Sequence, residues 1–334
     1  MLIRHVTGFA ISLAVLSGAV PARAGHFSDV YAFGDSLSDV GNFYILSTAL
    51  GTPTPVAPYV NGQFSNGPVW VQDLSVALGN GPLTPSRFGG TDYAYGDGQT
   101  GLTSVNSSPT VLDLPAQLMS FQSVHPAAPS TALYTLSIGS NDLFNALAGG
   151  LSAAQDQDVA QQAVANIGNF IDSLAATGAR NFLVMNVPDL GVTPEVTAFG
   201  AMAAAGATAL SGYFDALLAN ELASLAIAYP LQVGIIDSFA LVDNAVANPG
   251  AYGLTDVTTP CWTGNYFGSG ALCSVSAAVQ DTHLFWDGVH PTRAGHALVA
   301  SAGLALVAEP ATPWLMAPAL LALAALYRRR GQAI

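Results

Sequence analysis

A serine stands where an apolar run gives way to a predicted helix. The run from Val30 to Phe33 leads directly into Gly34-Asp35-Ser36. At this place the serine hydroxyl would be exposed at the end of a strand, and its backbone N–H, at a helix N-terminus, could meet an anion. Such a serine could act as a nucleophile. Serine is also a common helix N-cap, so the local pattern leaves both interpretations open.

An aspartate and a histidine three residues apart form a second pattern. Asp287 and His290 lie in the segment Phe285–Thr292, whose Pro-Thr end is predicted to open a helix. The spacing allows the carboxylate to hold one imidazole nitrogen while the other nitrogen faces a serine hydroxyl. A helix-capping turn with an incidental histidine explains the same residues. A metal site that includes His283 and His296 is disfavoured, because acidic and cysteine ligands do not recur at metal spacing.

An asparagine follows another predicted strand. The run Leu136–Ile138 ends in Gly139-Ser140-Asn141-Asp142. The amide of Asn141 could donate a hydrogen bond to a developing oxyanion. Asn and Asp also bond to their own backbone in turns, so a purely structural role stays open.

The elements that must position these residues alternate along the chain. Short runs rich in β-branched and aromatic residues are predicted strands, and longer runs with helical periodicity separate them. The strands are Ser28–Phe33, Ala132–Ile138, Asn181–Val187 and Leu231–Ile236; the helices are Val69–Leu78, Leu114–Ser123, Asp158–Ala176, Pro194–Ala228 and Thr292–Val307. Such alternation predicts a parallel sheet covered on both faces, with its site at the carboxyl ends of the strands. The stretch Gly51–Gly67 is predicted to be a long surface loop near that site.

The composition excludes whole classes of partner. The chain has 334 residues, 21 acidic and 8 basic, without a lysine, and only three arginines lie between Gly25 and Ala308. A domain with so few basic residues cannot neutralise a phosphate backbone, so nucleic-acid binding is excluded. Binding to an anionic membrane surface through a basic patch is equally disfavoured. With 51% hydrophobic residues the chain is ample to bury a core. We find neither an internal repeat nor a linker, so residues 25–308 are predicted to form one domain.

The N-terminal 24 residues are predicted to be an export signal. A start that carries Arg4 is followed by an apolar run from Phe9 to Val20 and by Pro21-Ala22-Arg23-Ala24. This order is typical of a secretory signal peptide that is cleaved after Ala24. A buried N-terminal helix is the alternative. We therefore expect the mature protein to begin near Gly25 in an oxidising compartment.

The C-terminal residues 309–334 contain a second signal. Glu309–Pro313 precedes the uncharged stretch Trp314–Tyr327 and then three arginines, 328–330. The stretch is marginal for a hydrocarbon core of roughly 30 Å, and the arginines would stay cytoplasmic. The arrangement resembles the PEP-CTERM sorting signal of Gram-negative bacteria, which an exosortase is thought to process, with Ala308 in place of the first proline. An ordinary C-terminal membrane anchor stays open as the alternative.

Taken in this order, the motifs resemble the GDSL esterase/lipase family, also called SGNH hydrolases. The resemblance extends from about Val30 to about Val307. It rests on Phe33–Asp39 with Gly41-Asn42, Ser65–Trp70, Gly178–Arg180 leading to Val187–Gly191, and Phe285–Thr292. These segments are similar to those of bacterial esterases, phospholipid–sterol acyltransferases and haemolysin-like lipases. The resemblance implies a three-layer α/β/α sandwich with a mainly parallel central sheet, of the flavodoxin-like type.

The resemblance also implies a role for each residue of the site. Ser36 matches the nucleophile, His290 the general base and then acid, and Asp287 the residue that orients the histidine. The oxyanion would be held by the backbone N–H of Ser36, the side chain of Asn141 and a glycine N–H, which we place at Gly96. In the glycine segment, Asp92 and Asp97 replace the Asn and second Gly that are usual in the family. Asp35, Asp39 and Asp142 are interpreted as turn and supporting residues.

The chain has two cysteines, Cys261 and Cys273, and both lie in the part that is predicted to be exported. A disulfide between them is therefore favoured over a reactive thiol. It would close a loop directly before the Asp–His segment and contribute roughly 3 kcal/mol in the chain-entropy model.

These observations predict an exported carboxylic ester hydrolase that cleaves small-molecule or lipid acyl esters through an acyl-enzyme on Ser36. We expect neither a metal nor an organic cofactor. Its partners would be the export machinery and an exosortase, and its place would be secreted or cell-surface in a Gram-negative bacterium. Phospholipid or sterol acyl transfer, or phospholipase activity, is the alternative within the fold. A non-catalytic surface protein that binds glycan or lipid is the alternative outside it, against which the four intact site residues argue.

Overall fold

A computed structural model describes residues 27–101 and 112–308. The described residues belong to one compact unit. The predicted signal peptide at 1–24 and the predicted sorting signal at 309–334 lie outside the described residues, and both stay predictions.

Four parallel strands form the centre of the domain; three lie within the predicted runs, and β1 extends one residue, Gly34, beyond its run. They are β1 (Val30–Gly34), β2 (Leu133–Ser137), β3 (Asn181–Met185) and β4 (Gln232–Ile236), and they are hydrogen-bonded in that order. In register, Phe33 pairs with Leu136, and Leu136 pairs with Val184. The carboxyl ends of the strands consequently meet at one edge of the sheet.

A short segment at residues 91–95 pairs with the free side of β1. The N–H of Ala32 donates to Thr91 O at 3.1 Å, Tyr93 N–H donates to Ala32 O at 2.7 Å, and Tyr95 N–H donates to Gly34 O at 3.1 Å. When this segment is counted with β1–β4 in chain order, it is the second of five. The order across the sheet is then 2-1-3-4-5, the flavodoxin-like order of doubly wound α/β folds. The predicted fold class is confirmed.

Helices surround the sheet. They are α1 (Asn42–Ala49), α2 (Trp70–Ala77), α3 (Leu114–Val124), α4 (Ser140–Ala148), α5 (Ala153–Thr177), α6 (Pro194–Thr197), α7 (Ala201–Ala228), α8 (Ser238–Ala247), α9 (Ala277–Gln280) and α10 (Arg293–Ala308). Alternate side chains of β1 point to opposite faces. Tyr31 and Phe33 pack in the core beneath α3, α5 and α7, whereas Val30 and Ala32 pack beneath α2 and α10. The three layers are helix, sheet and helix, as predicted.

The helix predicted over Pro194–Ala228 is in fact two helices. Helix α6 ends at Thr197 and α7 begins at Ala201, after Gly200 at φ +95°. That backbone conformation suits glycine and breaks the helical path. Helices α1, α4 and α8, each of ten residues or fewer, were not predicted, and α4 carries Asn141.

By length and composition, α7 is the one described helix that could cross a membrane. Its stripe of Leu210, Phe214, Leu218 and Leu222 is buried in the hydrophobic core of the domain. This four-residue spacing is that of a helix face packed on its own domain, which explains why so apolar a helix belongs to the fold.

Gly34 allows β1 to lead into the serine. It has φ +140°, and a Cβ at this position would lie 2.0 Å from Ser137 O on β2. Only glycine fits so close an approach of the two strands. Ser36, two residues after Gly34, therefore lies at the same edge of the sheet as the connection from β2 to α4.

Candidate active site

Ser36, His290 and Asp287 form a connected row at the carboxyl edge of the sheet. The Ser36 hydroxyl lies 2.7 Å from His290 Nε2, and His290 Nδ1 lies 2.8 Å from Asp287 Oδ2. The three residues are 8%, 5% and 4% exposed, respectively. The structure thus brings together a serine and a histidine that are 254 positions apart in the sequence. A nucleophile, a base and the group that orients the base have the arrangement of a Ser-His-Asp triad.

A tight turn holds Asp287 and His290 in this geometry. The N–H groups of Val289 and His290 both donate to Asp287 Oδ1, at 2.9 and 2.8 Å. The turn that was considered as a structural alternative is therefore present, and it leaves both Asp287 oxygens within hydrogen-bond distance of His290 Nδ1, Oδ2 at 2.8 Å and Oδ1 at 3.0 Å. Structural and catalytic interpretations of this segment are compatible.

The charges of Asp287 and His290 stabilise each other. Burial alone would raise the pKa of Asp287, but the His290 imidazole and the hydrogen bonds to the carboxylate hold its pKa below the ordinary value. Burial alone would lower the pKa of His290, but the Asp287 carboxylate raises it above the ordinary value. The two shifts agree in sign with a charged pair, so His290 is a stronger base than a free imidazole and can accept the Ser36 proton.

An apolar cavity of about 80 Å³ opens beside the row. Ser36, Asn141 and His290 line it together with other polar residues, among them Asp35 and His296. Most of the lining is aliphatic or aromatic and includes Leu37, Phe144, Met185, Leu190, Leu241 and Leu298. A nucleophile beside an apolar cavity with few polar groups fits a ligand with an uncharged hydrocarbon part.

Residues 30–302 match the model of the protein family described as GDSL-like Lipase/Acylhydrolase. The chain belongs to this family. The prediction of a carboxylic ester hydrolase is thereby confirmed at the level of the family.

The chain is similar to proteins that are named for different activities, among them an acyltransferase and an esterase. The chain is 29% identical to a phosphatidylcholine-sterol acyltransferase of Aeromonas hydrophila over 81% of this chain and 87% of that protein. It is 28% identical to esterase EstA of Pseudomonas aeruginosa, over 89% of this chain, and spans about half of that esterase, 49%. An α/β hydrolase, LAE5, from the metagenome of Lake Arreo aligns with a TM-score of 0.46 and 13% identity, over 86% of this chain and 97% of that one.

Tyr59 is part of the site of this GDSL family member, although the sequence did not indicate it. Its hydroxyl donates to Asp287 Oδ2 at 2.7 Å, and its side chain is buried. From the same predicted loop, Gly51–Gly67, the ring of Phe64 lies 5.2 Å from the His290 ring. Burial and the Asp287 charge raise the pKa of Tyr59, so it stays a donor. An aromatic residue in a loop rich in Pro and Gly carries no pattern that would reveal this contact.

We expect Tyr59→Phe to lower kcat roughly tenfold with little change in KM, because a hydrogen bond to a buried charge is lost. With one donor fewer, Asp287 attracts the His290 proton more strongly, so the acidic limb of the pH–kcat profile should move to higher pH. Steady-state kinetics on a p-nitrophenyl ester over pH measures both effects. The matched control is Tyr93→Phe, a buried tyrosine that stacks on Phe33; its profile should equal that of the wild type. An unchanged Tyr59→Phe profile would contradict the assignment.

Asn141 lies in the first turn of α4 and lines the same cavity as Ser36 and His290. One N–H of its amide donates to Gly98 O at 2.9 Å, which fixes the orientation of the side chain. A side-chain amide has two N–H hydrogens, so this bond leaves one for a substrate oxygen. The placement is compatible with the predicted oxyanion role, which stays a prediction.

Gly96 requires a correction. Its N–H donates to Asp39 Oδ2 at 2.8 Å. Because this N–H is directed at the Asp39 carboxylate, it does not face the place of an ester oxygen. In this structure Gly96 therefore does not donate to an oxyanion. A Cβ at this position would lie 2.4 Å from the Phe64 ring, and close packing explains the glycine.

Two aspartates of the motifs, Asp39 and Asp142, accept hydrogen bonds from neighbouring groups. Asp39 also accepts from Gly41, Asn42 and Phe43 N–H at 2.6–3.0 Å. Asp142 accepts from the Thr100 hydroxyl at 2.6 Å. Burial raises the pKa of both Asp39 and Asp142 to about 6. These contacts agree with their interpretation as supporting residues.

Cys261 and Cys273 form the predicted disulfide. Cys261 is fully buried in a cluster with Tyr59, Trp262 and Trp286. Its N–H donates to Phe285 O at 3.1 Å, and Trp262 N–H donates to Trp286 O at 2.6 Å. The bridged loop is therefore bonded to the two residues directly before Asp287.

Proposed function

We propose that this chain is an exported serine esterase that cleaves acyl esters through an acyl-enzyme on Ser36. The observation that carries the proposal is the 2.7 Å contact between Ser36 Oγ and His290 Nε2, with Asp287 on the far nitrogen. This contact is the means by which a serine hydroxyl, weak on its own, becomes a nucleophile. The apolar cavity beside Ser36 supports an acyl group as the part of the substrate that enters it.

The mechanism follows from the positions of these atoms. Ser36 Oγ attacks the ester carbonyl as His290 Nε2 accepts its proton, and Asp287 stabilises the imidazolium that forms. The Asn141 amide and the Ser36 N–H stabilise the oxyanion. His290 then returns the proton to the departing alcohol. Water, activated by His290, hydrolyses the acyl-enzyme, so no cofactor takes part in any step.

A labelling experiment tests the acyl-enzyme directly. An alkyl fluorophosphonate should add one adduct per chain, and peptide mass analysis should place it on Ser36. Pre-incubation with a slowly hydrolysed ester should protect the chain from the label. Labelling at another residue, or equal labelling of Ser36→Ala, would overturn the proposal.

Acyl transfer is the second candidate, because the acyltransferase of Aeromonas hydrophila is similar over 87% of its length. In transfer, an alcohol replaces water in the second half-reaction. Incubation with phosphatidylcholine and a sterol tests it: sterol ester formation supports transfer, and free fatty acid alone supports hydrolysis.

The two ends of the chain support export in this proposal. Residues 1–24 would be removed as a signal peptide, and residues 309–334 would serve as a PEP-CTERM-like signal for an exosortase. A disulfide is in keeping with an oxidising compartment. Intact mass of the exported protein tests the processing; retention of Arg328–Arg330 would contradict it.

A further inference from the structure

Much of the wall of the apolar cavity beside Ser36 belongs to the packed core of the domain. Two hydrophobic clusters meet around the cavity. The first supplies Leu37, Met185, Leu241 and Val299, and the second supplies Val242, Ala245, Leu284 and Phe285. Met185, Ala245 and Leu284 are each at most 4% exposed. Such walls do not yield to added volume without strain, so the size of the cavity limits what can enter it.

One face of helix α8 borders the cavity. Ser238, Leu241 and Ala245 follow each other at intervals of three and four residues on this helix, and all of them line the cavity. Residues at that spacing share a helix face. Leu241 has the largest side chain of the three, whereas Ala245 contributes a single methyl group. The space that is left beside α8 therefore depends on the sizes of these two side chains.

The reacting end of an ester is placed in the same cavity. Ser36 and His290 both line it, and Ser36 Oγ lies 2.7 Å from His290 Nε2. The ester carbonyl carbon must approach Ser36 Oγ to react. The hydrocarbon chain attached to that carbon then meets the aliphatic walls, where each buried methylene group stabilises binding. A chain that is too long must displace packed core residues or turn out into water.

The volume of the cavity sets the length of that chain. An apolar cavity of about 150 Å³ holds benzene, a ring of six carbon atoms. At about 80 Å³, the cavity beside Ser36 is roughly half as large. It therefore has room for roughly three carbon atoms beyond the carbonyl group.

We propose that this cavity is a subsite for short acyl chains, up to about the butyryl group, and that Leu241 sets the limit. The inference rests on the proposed esterase function and names its substrate class as short-chain acyl esters. The acyl part of the substrate, and not its alcohol, is selected here. A phospholipid with long acyl chains would accordingly be a poor acyl donor.

A series of p-nitrophenyl esters tests the limit in the wild type. We expect kcat/KM to rise from acetate to butyrate by roughly two- to fourfold for each methylene group, because each added group is buried. From butyrate to octanoate it should fall roughly tenfold or more, since an apolar pocket rejects a chain that exceeds it by a factor of this order. All esters are used below the concentration at which they aggregate, and the rate of alkaline hydrolysis corrects for the intrinsic reactivity of each.

Substitutions on α8 should move the limit in both directions. Leu241→Ala removes about three carbon atoms from the wall, so hexanoate should gain roughly tenfold relative to butyrate. Ala245→Val adds about two carbon atoms, so the optimum should move to acetate. The matched control is Leu217→Ala, which changes a partly buried leucine of α7 that packs on the core outside the lining of this cavity; its profile should equal that of the wild type. Retained hydrolysis of acetate shows that each variant is folded.

A second series keeps the acetyl group and varies the alcohol from methyl to hexyl. Leu241→Ala should leave the profile of this series unchanged, because the alcohol does not occupy the cavity. The two series together separate an acyl subsite from an alcohol subsite.

Four results would overturn the inference. A wild-type rate that rises or stays level from butyrate to octanoate would show that the acyl chain is not confined, and the esterase proposal would stand. Equal profiles of Leu241→Ala and Leu217→Ala would place the limit elsewhere. A shift in the alcohol series with an unchanged acyl series would show that the cavity holds the alcohol. Hydrolysis of every ester no faster than by Ser36→Ala would overturn the esterase proposal together with this one.

Discussion

Replacement of Ser36 by alanine should lower kcat for p-nitrophenyl esters on the order of 10⁴-fold or more. The substitution removes one oxygen, the atom 2.7 Å from His290 Nε2, and among the described residues no other hydroxyl hydrogen-bonds to that nitrogen. Any residual rate would come from binding and from the oxyanion donors acting on water. The measurement is kcat on the acetate-to-octanoate series, with the thermal midpoint recorded beside it, which should change little.

Ser38 provides the matched control for this substitution. It lies two residues further on, it is fully buried, and its hydroxyl accepts from Trp70 Nε1 at 3.2 Å. Ser38→Ala should therefore lower stability by about 1 kcal/mol and keep kcat within about tenfold of the wild type. If Ser36→Ala hydrolyses the series at the wild-type rate, the chain is not a serine esterase. Loss of activity in both variants with a fall in the thermal midpoint would mean that unfolding, rather than chemistry, was measured.

The triad could be predicted from the sequence because its motifs resemble those of a known family. Topology alone indicates less: Ser36 follows a predicted parallel strand and is therefore expected at the carboxyl edge of the sheet, whereas the pattern around Asp287 and His290 also fits a capping turn. The three-residue spacing of Asp287 and His290 is short enough for one turn to join them. Strands, helices and the order of motifs can be predicted because their patterns lie along the chain itself.

Gly96 and Tyr59 could not be predicted in this way, since their roles depend on directions in space. The direction of the Gly96 N–H is set by the buried Asp39 carboxylate, which competes for it. Asp97, the next residue, adopts φ +64°, a left-handed conformation that aspartate tolerates but that the sequence alone does not indicate. Tyr59 reaches Asp287 from a loop without periodicity, across 228 positions. Hydrogen bonds of this kind are decided by packing after the elements have formed.

Replacement of Asp287 by asparagine should lower kcat about 10⁴-fold while the fold is retained. The N–H groups of Val289 and His290 both donate to Oδ1, so the amide oxygen must take that position. The amide nitrogen is then placed where Oδ2 was, 2.8 Å from His290 Nδ1, and it donates to that atom. This donor, at 2.8 Å, is nearer to Nδ1 than the amide oxygen, at 3.0 Å, and so favours the tautomer with its hydrogen on Nε2, in which the histidine cannot accept the serine proton.

The pH profile separates this cause from a loss of structure. Activity requires neutral His290, so it is lost as the pH falls through the His290 pKa, which Asp287 raises above its ordinary value. Without the carboxylate that pKa falls, and the acidic limb of residual activity should move to lower pH. The control is Asp281→Asn, whose carboxylate accepts from Arg293 Nε at 2.7 Å; it should keep kcat within a few-fold and the limb unmoved. Retention of more than about 1% of kcat by Asp287→Asn, or an unmoved limb, would show that Asp287 does not set the tautomer of His290.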